Sequence, residues 1–103
     1  MEKDFEVKQE GSALTVTLGN KLYAVNSPAL MEELVPYTDQ GIEKVVFDAT
    51  NLTLLSSSGV RVIMYCKQKL GASPEIVFVN CKEEVLEVLG LVGIRSIITF
   101  EKR

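Results

Sequence analysis

Two short runs, Lys44–Asp48 (KVVFD) and Glu75–Asn80 (EIVFVN), are apolar at almost every position and rich in β-branched residues. A strand with one wet face alternates apolar and polar residues, whereas an unbroken run suits a strand covered on both faces. The first run is therefore expected at the centre of a sheet. Between the two runs, Val60, Ile63, Met64 and Leu70 recur at helical spacing over Ser58 to Leu70, with Arg61, Gln68 and Lys69 turned outward. Gly71 stands where a helix terminator belongs. Strands that alternate with helices in this way define an α/β chain.

The remaining pattern completes one domain over residues 1–103. Phe5 and Val7, then Leu14, Val16 and Leu18, alternate with polar residues around the turn Glu10, Gly11, Ser12, which predicts an N-terminal hairpin. A loop follows from Gly19 to Asn26. Ser27 and Pro28 then read as a helix start, a side-chain cap followed by a ring already fixed at helical φ. That helix is expected to run from Pro28 to about Thr38 and to end by Gly41, with Leu30, Met31, Leu34 and Val35 inside, Glu32 and Glu33 outside, and Pro36 within its last turn. Val85 to Leu89 opens a third helix that stops around Gly90 to Gly93, and Ile97 to Phe100 forms a closing strand. The order β-β-α-β-α-β-α-β calls for a mixed sheet of four to five strands with helices packed against it. A chain of 103 residues buries roughly two-thirds of its unfolded surface, enough for one core without disulfides or a structural metal.

Charge and composition narrow the function classes. Eleven Lys plus Arg against 14 Asp plus Glu leave a net charge of −3, which provides no footprint for direct nucleic-acid binding or for an anionic membrane surface. There is no His, so the commonest metal ligand and the usual acid-base side chain near neutral pH are both missing. Cys66 and Cys81 lie outside any CxxC pair and are expected to be buried free thiols, as in a reducing cytosol. The opening MEKDFEVKQE lacks an apolar signal stretch, and no run approaches the ~20 apolar residues of a membrane span. No membrane insertion, no cofactor and no metal are expected, and the location expected is the cytoplasm.

The chemically informative stretch is Asp48–Gly59, DATNLTLLSSSG, where a strand ends, a polar loop follows and three serines precede a helix. A serine here normally caps the helix by accepting a hydrogen bond from a free first-turn N–H, and one of Ser56 and Ser57 is expected to do so. The same helix end also tolerates a phosphate, because its free N–H groups and partial positive charge favour an anion. Phosphorylation adds about −1.5 to −2 charge, which a docked protein surface need not tolerate, so one modification can abolish binding without unfolding the domain.

Three segments, Gly19–Leu30 (GNKLYAVNSPAL), DATNLTLLSSSGV and Val85–Glu101 (VLEVLGLVGIRSIITFE), taken in order and at this spacing, resemble the STAS domains, named for sulfate transporters and anti-sigma-factor antagonists. The resemblance covers nearly the whole chain, and the free-standing length is similar to the bacterial anti-sigma-factor antagonists. It implies a partner-switching regulator that binds an anti-sigma factor or a serine kinase of the GHKL type, frees a sigma factor, and is reversed by serine phosphorylation. The family's acceptor motif, Asp, Ser, Ser or Thr, Gly, falls on Ser56, Ser57, Ser58 and Gly59, which assigns the acceptor to Ser57. Asp48 matches the acid that ends the preceding strand. Ser56 and Tyr23 stand where the family usually has Asp, and neither supplies an ionised carboxylate to orient the acceptor or a kinase-bound metal. Ser56 or Ser58 as acceptor, or an unmodified Ser57, therefore stay open.

Around this motif, Tyr23, Val25 and Asn26 form either a second lip of a docking surface or a site where Tyr23 is simply a packed aromatic, with Asp48, Ser56, Ser58, Gly59 and Arg61 on the serine side. Asp48 has a structural alternative, an acid at a strand end that accepts loop N–H bonds. Arg61, Lys67 and Lys69 form either an ordinary solvated helix face, which is common, or a cationic face for an acidic partner. An alternative function is a cytosolic accessory subunit of a lipid or anion transporter, in which the serine need not be phosphorylated. An enzyme is not expected. There is no His base and no G-x-S-x-G elbow, and Lys67 and Lys69 lie turns away from Ser57 along the same helix.

Overall fold

The structure, a computed structural model, describes residues 4–103. The hairpin forms as β1 (Phe5–Glu10) and β2 (Ala13–Leu18), joined by the two residues Gly11 and Ser12, with Val7 opposite Val16. The two apolar runs become β4 (Lys44–Asp48) and β6 (Glu75–Val79), and the chain closes with β7 (Ile98–Glu101), one residue later than expected at each end. These five strands form one sheet in the order β1-β2-β4-β6-β7, antiparallel only between β1 and β2. β4 is the central strand, as its composition predicts.

Three helices fill the connections: α1 (Ser27–Leu34), α2 (Ser57–Lys69) and α3 (Glu83–Leu91). Their buried residues, among them Leu30, Leu34, Ile63, Cys66, Val85 and Leu89, join Leu14, Val16, Val45, Phe47, Ile76 and Phe78 of the strands in one core. On α2, Val60, Ile63 and Leu70 are buried as expected, Val62 and Cys66 join them, and Met64 is only half-buried. Gly71 ends the helix at φ +75°, and a Cβ there would sit 2.1 Å from the Ile42 carbonyl oxygen, so no other residue fits without a backbone shift.

β4 is buried on both faces, as its unbroken apolar run predicts, and the two faces belong to different clusters. Val46, Val77 and Val79 point to the other face and form a separate buried cluster to which no helix contributes. Val46 lies opposite Val77, and each has a threonine as its other cross-strand neighbour, Thr15 and Thr99. The apolar runs thus bury this face against side chains of the sheet itself.

α1 departs from its expected bounds. The α-helix stops at Leu34 and tightens into a 3-10 turn over Val35–Tyr37. Pro36 has no N–H to donate to the carbonyl four residues back, so the regular ladder cannot continue through it. Thr38 closes the turn with its N–H and its hydroxyl, both donated to the Val35 carbonyl at 3.2 and 3.0 Å. Val35, expected inside, is left 51% exposed. At the other end Ser27 is the first helical residue rather than the cap, and its hydroxyl is buried with no hydrogen-bond partner. α3 starts two residues before the expected Val85, with Glu83 and Glu84 in its first turn where they complement the helix dipole, and ends at Leu91, within the expected Gly90 to Gly93.

Both cysteines are free. Cys66 is buried in the core and Cys81 is half-buried, and burial pushes their thiols up to about 12 and about 11, so neither carries thiolate near neutral pH.

Candidate functional site

Two elements without a sequence signature build the site. β3 (Lys21–Leu22), inside the expected loop, pairs in parallel with β5 (Leu54–Leu55), inside the polar stretch before the serines. Lys21 faces Leu54 and Leu22 faces Leu55. The pairing is extended at both ends, by the Thr53 N–H donating to the Asn20 carbonyl at 2.8 Å and by the Ser56 N–H donating to the Leu22 carbonyl at 3.0 Å. The second of these bonds fixes where α2 begins.

α2 starts at Ser57, one residue earlier than expected, with Ser56 in the capping position at φ −98°, ψ 174°. The Ser56 carbonyl accepts the first helical bond from the Val60 N–H at 3.0 Å. The expected side-chain cap does not form. The Ser56 hydroxyl is buried and bonds to nothing, and Ser57 lies inside the helix with its side chain exposed. Ser58 is half-buried, and Gly59 is buried beneath it. A Cβ on Gly59 would lie 2.7 Å from Leu55 Cδ1 and 2.8 Å from the Leu22 carbonyl oxygen, so glycine lets the first turn seat directly on the small sheet. Of the three serines, Ser57 is the exposed one.

Tyr23 and Asn26 bound the turn between β3 and α1. Asn26 is 5% exposed; its Oδ1 accepts the Tyr23 N–H at 2.9 Å and its Nδ2 donates to the Lys21 carbonyl at 2.7 Å. Its amide is therefore the clasp of the turn and does not face a partner. The apolar member of the turn takes the outer position, because Val25 is 73% exposed. Tyr23 is half-buried, with the Lys21 ammonium 5.6 Å from its ring centroid. Arg61 is exposed one helical turn beyond Ser57, four residues on and hence on the same face.

Asp48 lies elsewhere. Strand alternation turns it to the face of the sheet opposite Phe47, and its Oδ1 accepts both the N–H and the hydroxyl of Thr50, at 3.1 and 2.6 Å. The Thr50 hydroxyl accepts from Asn80 Nδ2 at 3.0 Å, and Asn80 Oδ1 accepts the Arg103 N–H at 2.8 Å. Asp48 thus shapes the strand end in a polar cluster of its own. Lys67 also leaves the expected cationic face, since its ammonium donates to the Pro74 carbonyl at 2.9 Å and ties the end of α2 to the loop before β6. Leu54, 44% exposed beside the serines, is a site residue that sequence reading missed. Two-residue strands have no period to read. Among the described residues no helix is long and apolar enough to cross a membrane, and no group of three or more His, Cys, Asp or Glu is arranged to hold a metal ion.

Comparison with known proteins bears on this geometry. The family model of the STAS domain matches residues 4–103. A protein of Bordetella bronchiseptica that carries the name anti-sigma factor antagonist BtrV is 33% identical over 85 residues, which cover 82% of this chain and 73% of the relative. Two solved structures share the fold at low identity. An anti-sigma factor antagonist of Thermotoga maritima superposes with a TM-score of 0.82 at 17% identity, covering 96% of this chain and 86% of that one. The anti-sigma factor antagonist SpoIIAA in its unphosphorylated form gives 0.80 at 16% identity, covering 93% and 86%.

Proposed function

The chain belongs to the STAS domain family, and from that premise we propose that it is an anti-sigma factor antagonist switched by phosphorylation of Ser57. In this reading it binds an anti-sigma factor, or a related serine kinase of the GHKL type, and so releases a sigma factor. Phosphorylation by that kinase reverses the exchange. The observation that carries the reading is the position of Ser57, an exposed hydroxyl in the first turn of α2, between a buried Ser56 hydroxyl and a buried Gly59. The exposure of Ser57 and the burial of the Ser56 hydroxyl support Ser57, the acceptor that the motif assigns, over the alternate Ser56.

The physics of the switch follows from the helix end. The dianionic phosphate is accommodated there by the helix dipole, so the fold survives modification. A surface already docked on Ser57 has to take on about −1.5 to −2 charge and a bulky group, so the complex does not survive it. The usual carboxylates of the acceptor motif are replaced by Ser56 and Tyr23, and the kinase must then supply the orientation of the hydroxyl and of its own metal. The named relative at 33% identity supports this reading over that of a transport accessory.

A pull-down from native cell extract, with mass spectrometry of the retained proteins, tests it. An anti-sigma factor or a GHKL-type kinase is the expected catch. A permease or transport ATPase retained on bait unmodified at residues 56–58 would overturn the proposal in favour of the accessory subunit.

A further inference from the structure

The 14 acidic residues of this chain are unevenly placed, and none of them falls in residues 11–31 or 49–74. Those two segments supply β3, β5, the turn before α1 and the whole of α2. On the surface they form around Ser57, the exposed charges are Lys21 and Arg61, and the exposed large apolar side chains are Val25 and Leu54. Lys21 and Leu54 are direct neighbours across the β3–β5 pair, Val25 lies in the turn that follows β3, and Ser57 is two residues beyond β5. Among the described residues neither cation is in an ion pair. The two ion pairs among the described residues, Lys44–Glu75 and Arg103–Glu101, lie elsewhere. Acids border this ledge rather than occupy it. Asp4 is tied to it through its carbonyl, which accepts the Gly19 N–H at 2.8 Å, and Glu83, Glu84 and Glu87 lie on α3, which packs beside β5.

We infer that this ledge docks a protein partner through an apolar patch rimmed by carboxylates, with Val25 and Leu54 as the anchors and Lys21 and Arg61 as the charges that select it. The inference deepens the partner-binding reading above and rests on it, and charge complementarity specifies the partner's chemistry. A molecule with net charge −3 whose ledge carries two cations and no acid favours an acidic protein at that face, which sets orientation as well as affinity. It also gives the switch a local balance. Lys21 and Arg61 are exposed on the same two segments as Ser57, and a phosphate of about −1.5 to −2 charge on Ser57 offsets the attraction that recruits the partner. The desolvated apolar anchors alone then face a like-charged surface.

Two short synthetic amphipathic peptides with identical leucines, one carrying glutamates and the other lysines, are the probes. Each is titrated into isotope-labelled protein and followed by NMR. The glutamate peptide is expected to shift the amide signals of residues 20–26 and 53–61 and to weaken several-fold between about 50 mM and about 300 mM NaCl. The lysine peptide is expected to leave those signals in place. The exposed double substitution Lys21→Glu with Arg61→Glu should exchange the preference, with about a tenfold loss for the glutamate peptide, and an unchanged amide spectrum elsewhere reports an intact fold. Equal binding of both peptides, shifts centred on another face, or no response to the glutamate peptide would overturn the inference. Failure of the sigma-factor reading shows separately, as a transport protein in the pull-down while the acidic preference persists.

Discussion

Two polar regions lie at the ends of the parallel strands, and they treat their hydrogen-bonding groups in opposite ways. In the cluster around Thr50, the Asp48 carboxylate, the Thr50 hydroxyl and the Asn80 amide each have a partner between 2.6 and 3.1 Å, and the Thr50 carbonyl accepts from the Lys82 ammonium. At the start of α2 the Ser56 hydroxyl is buried without a bond, Ser57 is bare to solvent, and Val25 and Leu54 stand exposed beside it. Buried polar groups are normally paired, because leaving one unpaired costs about 1–3 kcal/mol. The satisfied region therefore serves the fold. The other region leaves a hydroxyl and two apolar side chains in water, and it is there that the proposed partner docks.

Substitutions sharpen this contrast, and their effects should descend in a definite order. Ser57→Asp is expected to weaken partner binding roughly a hundredfold, since like charges brought together at an interface cost several kcal/mol. Thermal unfolding should stay close to that of the parent, and calorimetric titration beside a melting curve checks both. Gly59→Ala comes next, with a loss of about 1–3 kcal/mol in urea unfolding, because its Cβ has to displace the Leu22 carbonyl or the Leu55 side chain. Asp48→Ala should cost about 1–2 kcal/mol through the lost bonds to Thr50, with partner affinity unchanged. A binding loss from that change would break the separation of the two regions. Ser56→Ala should leave stability unchanged or raise it by up to about 1 kcal/mol, opposite in sign to the ~1 kcal/mol loss expected of a bonded cap. Ser57→Ala is the mildest, within about 0.5 kcal/mol by the same unfolding assay, because the exposed hydroxyl caps nothing.

The same contrast explains what was legible in the sequence. Runs such as KVVFD and EIVFVN announced the strands because burial demands continuous apolar residues, and the helical period of α2 was strong enough to place its terminator at Gly71. Pro36 carried its warning in the sequence, yet Val35 on the apolar stripe argued the other way, and the missing N–H won. β3 and β5 were invisible because two residues have no periodicity, and their pairing depends on a partner some thirty residues away. The acceptor motif falls at the start of α2, where the sequence expects a helix to begin. Which serine is open, and that Asn26 and Asp48 face inward or away, depended on backbone direction at Leu22 and Asp48, which residue types do not encode. Leu54, in the run Leu52–Leu55 (LTLL), gave no sign that it would be left in water.

The most direct test of the central claim is phosphate mapping by mass spectrometry across residues 56–58, carried out separately on the partner-bound and free pools of the protein from native cells. Phosphate confined to Ser57 and to the free pool is the predicted result. Phosphate on Ser56 or Ser58, or equal occupancy of Ser57 in both pools, would contradict the account.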